Sequence, residues 1–196
     1  MVSQHVQLLQ TQDSATPHTG AVLDPISVLK SCGIRAGMRI ADFGSGRGHF
    51  ALPAAKMVGP RGSVYAVDLQ KELVHALDSQ AKFSGLENVS SVWADLEEYN
   101  TTKIPSNLLD VVLLISNHVS AEAQMKMMRE AGRVLKKGAL LIIVDWLPGN
   151  TIPFPQKSLT RIPKEVAIAN AQTVGFQFVD EFRPGRYHYG LRFQKA

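Results

Sequence analysis

The chain has 196 residues, a formal net charge of +4 and one cysteine, Cys32. That length suits one domain that buries roughly 70% of its unfolded surface and folds without staples, and a lone cysteine excludes an intramolecular disulfide or a multi-thiolate metal site. The basic residues are dispersed instead of forming a stripe, which speaks against nucleic acid as a partner, and no apolar run approaches the length that crosses a bilayer, so a cytoplasmic protein with no membrane partner is expected.

Residues 1–22 are polar and rich in Gln, Thr and Ser, which predicts a flexible arm ahead of a single domain over 23–196. Asp24-Pro25 supplies an N-cap and an N1 proline for a short helix that Gly33 can close. Short apolar, β-branched runs then occur at 38–43, 63–68, 89–93, 110–115 and 139–145. Helical periodicity lies between them, clearest over 71–83 and 122–135, where Met128, Ala131 and Leu135 share a face. Alternating strand and helix predicts a parallel sheet covered on both sides. The tail breaks the alternation: a helix at 164–174, stopped by Gly175, leads to a run at 176–182, a turn at Arg183-Pro184-Gly185-Arg186 and a run at 189–194. Strands joined so closely must be antiparallel, because a parallel crossover needs a dozen or more residues.

Chemistry concentrates in Ile40-Ala41-Asp42-Phe43-Gly44-Ser45-Gly46-Arg47-Gly48, an apolar run ending in a carboxylate and passing into alternating glycines. Glycine lets the backbone turn sharply from strand to helix and lets a ligand lie against bare main chain, and a nucleoside is the candidate. A tight turn without a ligand is the plainer alternative. In dinucleotide-binding loops two residues separate the second and third glycines; here Arg47 alone does, with His49 in the other slot, which disfavours NAD. Asp68 ends the next run at the separation from which an acidic residue reaches ribose hydroxyls. Asp95, in Trp93-Ala94-Asp95-Leu96, offers its carboxylate or the neighbouring amide to an adenine edge.

With these features the chain resembles the class I S-adenosylmethionine-dependent methyltransferases. The resemblance runs from Leu23 onward and adds the run 110–115 leading into Ser116-Asn117-His118, the segment Arg133-Val134-Leu135-Lys136-Lys137-Gly138 before the fifth strand, and the terminal hairpin. It implies a Rossmann-like, doubly wound α/β sheet of seven strands with only the last antiparallel. It also implies S-adenosyl-L-methionine as cofactor, held by Asp42, Gly44, Ser45, Gly46, Gly48, Asp68, Leu69, Asp95, Leu96, Ser116 and Asn117. More narrowly, the chain looks like small prokaryotic members related to the ubiquinone/menaquinone and arsenite types, which often end in an aromatic-His-Tyr-Gly sequence like Tyr187-His188-Tyr189-Gly190. The family's Lys-Pro-Gly-Gly turn is Lys136-Lys137-Gly138-Ala139 here, a change confined to a surface turn. The Asp/Asn-Pro-Pro-aromatic sequence of amino-directed enzymes is missing, which argues against base or amide methylation, and a single cysteine argues against arsenite.

The expected activity is methyl transfer to an unidentified small-molecule acceptor, the oligomeric state being open. His118 is the candidate general base, because the loop after the fourth strand faces the reactive methyl in the family and imidazole titrates near neutrality; packing or capping the next helix is the alternative. His188 stands between two tyrosines and suits either packing or substrate contact. Met125, Met127 and Met128 lie at helical spacing and are expected in the core, and the six histidines form no i, i+4 ligand pair, so no metal is expected. The segment 146–162, with prolines 148, 153 and 155, is a lid or an irregular loop. Competing functions are a non-catalytic S-adenosylmethionine-binding partner, a protein methyltransferase and a nicotinamide-dependent oxidoreductase.

Overall fold

The computed structural model describes residues 23–148 and 161–196. The arm expected over 1–22 and most of the expected lid, 149–160, lie outside the described residues.

Seven strands form one sheet: β1 (Arg39–Phe43), β2 (Ser63–Asp68), β3 (Val89–Trp93), β4 (Leu109–Ile115), β5 (Leu135–Trp146), β6 (Phe176–Gly185) and β7 (His188–Lys195). Their order is β3-β2-β1-β4-β5-β7-β6. β1 pairs in parallel with β2 and β4, β2 with β3, and β4 with β5, whereas β7 runs antiparallel to both neighbours. The expected seven-stranded doubly wound sheet with an antiparallel last strand is therefore the observed one. Helices α1 (Pro25–Ser31), α2 (Ala51–Val58), α3 (Lys71–Phe83), α4 (Ala121–Val134) and α5 (Lys164–Thr173) cover its faces.

The central strands explain the layers. In β4, Val111, Leu113 and Ile115 face one core with α1, α2 and Leu77 of α3, while Val112 and Leu114 face the other with Met127, Met128 and Ala131 of α4. Side chains alternate across a strand, so a strand buried on both faces reads as a continuous apolar run. Met127 and Met128 are core residues, as expected, and Met125 is half-buried. Asp24 caps α1 by accepting from the Ser27 N–H at 2.9 Å, with Pro25 at the first helical position.

Two boundaries move. β5 starts at Leu135, directly after α4, so Lys136-Lys137-Gly138 lies inside the strand instead of forming a turn before it. Leu135 pairs with Leu109, the register shifts before Val111 pairs with Leu140, and Lys136 forms an ion pair with Asp110. The segment bulges out of the ladder between these two pairs, with Gly138 at φ +75. The closing hairpin is likewise tighter than the four-residue turn expected: Gly185 pairs with His188, leaving Arg186-Tyr187 as the connection. Pro184 is tolerated because β6 is the edge strand and its register is irregular there. Gly190 is needed for packing, since a Cβ would stand 2.6 Å from the ring of Phe182 on the partner strand.

Candidate functional site

Strand order reverses between β1 and β4, and the chain leaves each of these strands on opposite faces, which opens a crevice beyond their carboxyl ends. The glycine loop leaves β1 there. The N–H groups of Gly44 and Ser45 donate to the Val67 carbonyl at 2.8 and 3.0 Å, and Gly46 N–H donates to Asp68 Oδ2 at 2.8 Å. β2 thus moulds the loop.

The three glycines do different work. Gly44 has φ +77, and a Cβ would run into the Asn117 carboxamide, which donates to the Phe43 carbonyl. Asn117, expected to touch a cofactor, spends its donor clamping the loop to β4. A Cβ on Gly48 would meet Leu52 and Leu77 at 3.0 to 3.1 Å, so this glycine serves the packing of α2 and α3. Gly46 alone has both positive φ, +54, and empty space where its Cβ would lie. That bare backbone is the cradle a ligand can fill.

Asp68 is 7% exposed and accepts from Gly46 N–H and from Gln70 N–H at 2.9 Å. A carboxylate has about four lone-pair sites, so roughly two remain for a pair of vicinal hydroxyls. Leu69, next in sequence, is 58% exposed and presents an apolar surface beside that carboxylate. Asp95 Oδ1 accepts from Glu97 N–H at 2.9 Å, and Leu96 is buried in the core, leaving backbone rather than side chain at that strand end. Trp93, which the sequence reading did not single out as a site residue, is exposed there; its indole N–H donates to the Leu69 carbonyl at 2.8 Å and Lys71 Nζ lies 3.9 Å from its ring centroid. A large aromatic ending a strand beside two site residues was the available signal.

At the end of β4 the backbone is strained. Ser116 and His118 adopt φ +51 and +52, a region that costs a side-chain-bearing residue on the order of 1–3 kcal/mol. Ser116 N–H donates to the Val144 carbonyl at 2.8 Å, while Ser116 Oγ and His118 Nδ1 are buried without a partner among the described residues. α4 is capped by Ser120, which accepts from Ala123 N–H at 3.1 Å, so the helix does not need His118 as its cap. Burial pushes the His118 imidazole below its ordinary pKa, favouring the neutral base.

These parts border a cleft of about 740 Å³ lined by Asp42, Gly44, Ser45, Gly46, Gly48, Ser116 and His118, with His49 and Phe50, edge to face at 5.2 Å, beside them. Asp68, Leu69, Asp95, Leu96 and Asn117 are outside that lining and stand on the neighbouring strand ends. Asp42 is 3% exposed, and desolvation pushes its carboxyl up to about 7, against the N–H of Ala51 that favours the anion and with a further push from Asp68. Arg47 and Lys56 also line the cleft but are exposed. The buried charge is acidic, which suits a cationic ligand better than a pyrophosphate. No cluster of three or more metal-ligating side chains occurs among the described residues.

A doubly wound sheet with a glycine loop, an open Gly46 and carboxylates ending β1 and β2 defines a nucleoside-cofactor-binding α/β protein. The pattern of a methyltransferase domain matches residues 34–175, and the chain belongs to that family, the class I S-adenosylmethionine-dependent methyltransferases. Demethylmenaquinone methyltransferase of Geobacillus kaustophilus (strain HTA426) is 25% identical over 118 residues, which are 60% of this chain and 49% of that protein. The chain therefore spans about half the length of the curated relatives it matches. A S-adenosylmethionine-dependent methyltransferase from Aquifex aeolicus superposes with a TM-score of 0.77 and 28% identity, covering 92% of this chain and 94% of that one. The [4+2]-cyclase SpnF shares the fold, with a TM-score of 0.71 at 18% identity over 88% of this chain and 80% of its own.

Proposed function

We propose that this chain catalyses methyl transfer from S-adenosylmethionine to a small-molecule acceptor. The observation that carries the reading is the pairing of open Gly46 backbone with the buried carboxylates of Asp42 and Asp68 at adjacent strand ends. When bound, the cofactor supplies a methyl group already activated by its sulfonium, which moves by in-line displacement. The protein then contributes orientation and a dry cavity. Asp68 and Leu69 would hold the ribose and flank the adenine, the backbone at Asp95 and Leu96 would meet the base edge, and Gly44, Ser45, Gly46 and Gly48 would form the floor. Asp42 and Ser116 would face the polar tail, with Asn117 keeping the loop in place. His118 Nδ1 would accept the proton that the acceptor's nucleophile gives up.

Among the described residues no helix is long and apolar enough to cross a membrane, and a small acceptor in the cytoplasm, with neither nucleic acid nor membrane as partner, is the setting we propose. The rival readings, a non-catalytic binding partner, a protein methyltransferase and a nicotinamide enzyme, are separated by ligand. Calorimetric titration should give S-adenosylhomocysteine binding with NAD and NADP far weaker; tight NAD binding and silence toward the methyl-donor pair would overturn the proposal. Release of S-adenosylhomocysteine from the methylated donor with small compounds, and not with protein extracts alone, separates the remaining two.

Asp42 adds a pH signature. Its carboxyl is raised to about 7, so near neutrality it is partly protonated in the free protein, and a cation bound beside it favours ionisation and expels the proton. S-adenosylmethionine affinity should therefore rise with pH between about 6 and 8, with proton release that calorimetry in buffers of different ionisation enthalpy can count. Asp42→Asn should flatten that slope; an unchanged slope would place the cation elsewhere.

A further inference from the structure

Three adjacent strand ends, those of β4, β5 and β7, carry five buried side-chain polar atoms without a hydrogen-bond partner among the described residues: Ser116 Oγ, His118 Nδ1, Trp146 Nε1 and both nitrogens of His188. Trp146 and His188 are register partners whose rings lie 4.0 Å apart at 41°. They are 2% and 0% exposed. Burying such groups unpaired destabilises a fold, and an apolar ring in place of His188 would avoid that loss. The methyl-donor parts at β1 and β2 lie on the other side of β4, and His118 borders both regions.

Resting on the methyl-transfer reading, we infer that His188 and Trp146, with His118, form the acceptor subsite, and that it takes a compound through a hydroxyl group. A neutral imidazole offers one N–H and one lone pair, and the indole offers an N–H, so the complementary group must both donate and accept. A hydroxyl does both; a carboxylate only accepts and an alkyl group does neither. The charged groups that act on His188 are Arg161 and the His118 imidazole, whereas Asp145 pairs with Tyr189 and projects to the alternate face of the sheet. Burial holds His188 down to about 4, so it stays neutral in the working range.

The test uses the full chain saturated with S-adenosylhomocysteine and three probes of one shape: phenol, toluene and benzoate. Phenol should raise the Tm and shift the imidazole ¹⁵N resonances of His188, and toluene and benzoate should not. His188→Phe should raise the Tm of the ligand-free protein by a few degrees, keep S-adenosylhomocysteine affinity within about twofold, and abolish the phenol response. Should that variant fold poorly, Trp146→Phe should weaken the phenol response at unchanged donor-product affinity. A lower Tm for His188→Phe with the phenol response intact would identify a packing residue, and equal responses to all three probes, or none to phenol, would overturn the hydroxyl subsite. Failure of the wild-type protein to bind S-adenosylhomocysteine would instead overturn the methyl-transfer reading on which the subsite rests.

Discussion

His118→Asn is expected to lower turnover about 10²-fold while leaving S-adenosylhomocysteine affinity within about twofold. Asparagine is the informative replacement because residue 118 sits at φ +52, a conformation that asparagine tolerates and alanine does not. Alanine would mix loss of the base with backbone strain. Desolvation holds the imidazole below its ordinary value. The wild-type rate should therefore fall only as pH drops through that lowered pKa, below about 6.5, and be level at neutrality, while the variant's rate should lack the acid limb. The measurement is S-adenosylhomocysteine release against pH with acceptor in excess. Parallel losses of Tm and donor-product affinity would mark His118 as packing, with catalysis left to orientation.

Asp68→Ala is expected to weaken S-adenosylhomocysteine binding by tenfold or more in a folded protein. The carboxylate would accept two ribose hydroxyls through charge-assisted bonds, each worth roughly 1.5–3 kcal/mol, and competition with water leaves a loss of at least about 1.4 kcal/mol. The same side chain already tethers Gly46 N–H and Gln70 N–H, so the variant also loosens the loop. Comparing S-adenosylhomocysteine with free methionine and adenosine separates these effects: a ribose role weakens adenosine and spares methionine, whereas a loosened loop weakens both. Unchanged affinity in a folded Asp68→Ala protein would reduce Asp68 to a loop tether.

Much of the architecture was legible as periodicity. The runs at 63–68 and 89–93 became β2 and β3 with the expected bounds, β2 because a parallel strand buried between helix layers is largely apolar on both faces. Polar β3 is the informative exception: it lies at the sheet's edge, half-buried, and β-branched residues with Trp93 marked it instead. The early start of β5 was not legible, since Lys136, Lys137 and Gly138 read locally as a turn, and they form a bulge that only the pairing of Leu135 with Leu109 and of Leu140 with Val111 places inside a strand.

The candidate site divides along the same line. Strand-to-turn chemistry is local, so the loop at Asp42 to Gly48 and the acidic end of β2 could be read from spacing alone. The separate duties of Gly44, Gly46 and Gly48 could not, because they depend on Asn117, Leu52 and Leu77 approaching from elsewhere in the chain. Nor could the left-handed backbone at Ser116 and His118, which neither residue type prefers and which the surrounding packing imposes. His188 shows the limit most clearly. Between two tyrosines it is an ordinary strand residue, and only the antiparallel pairing of β7 with β5 sets its ring, whose nitrogens have no hydrogen-bond partner among the described residues, against Trp146 on the side of β4 away from β1 and β2. Sequence by itself determined where backbone can turn and which faces must be buried, because those follow from each residue's own sterics and solvation. Tertiary structure decided which polar atoms meet partners and which are left to meet a ligand, because that depends on distances between segments far apart in the chain.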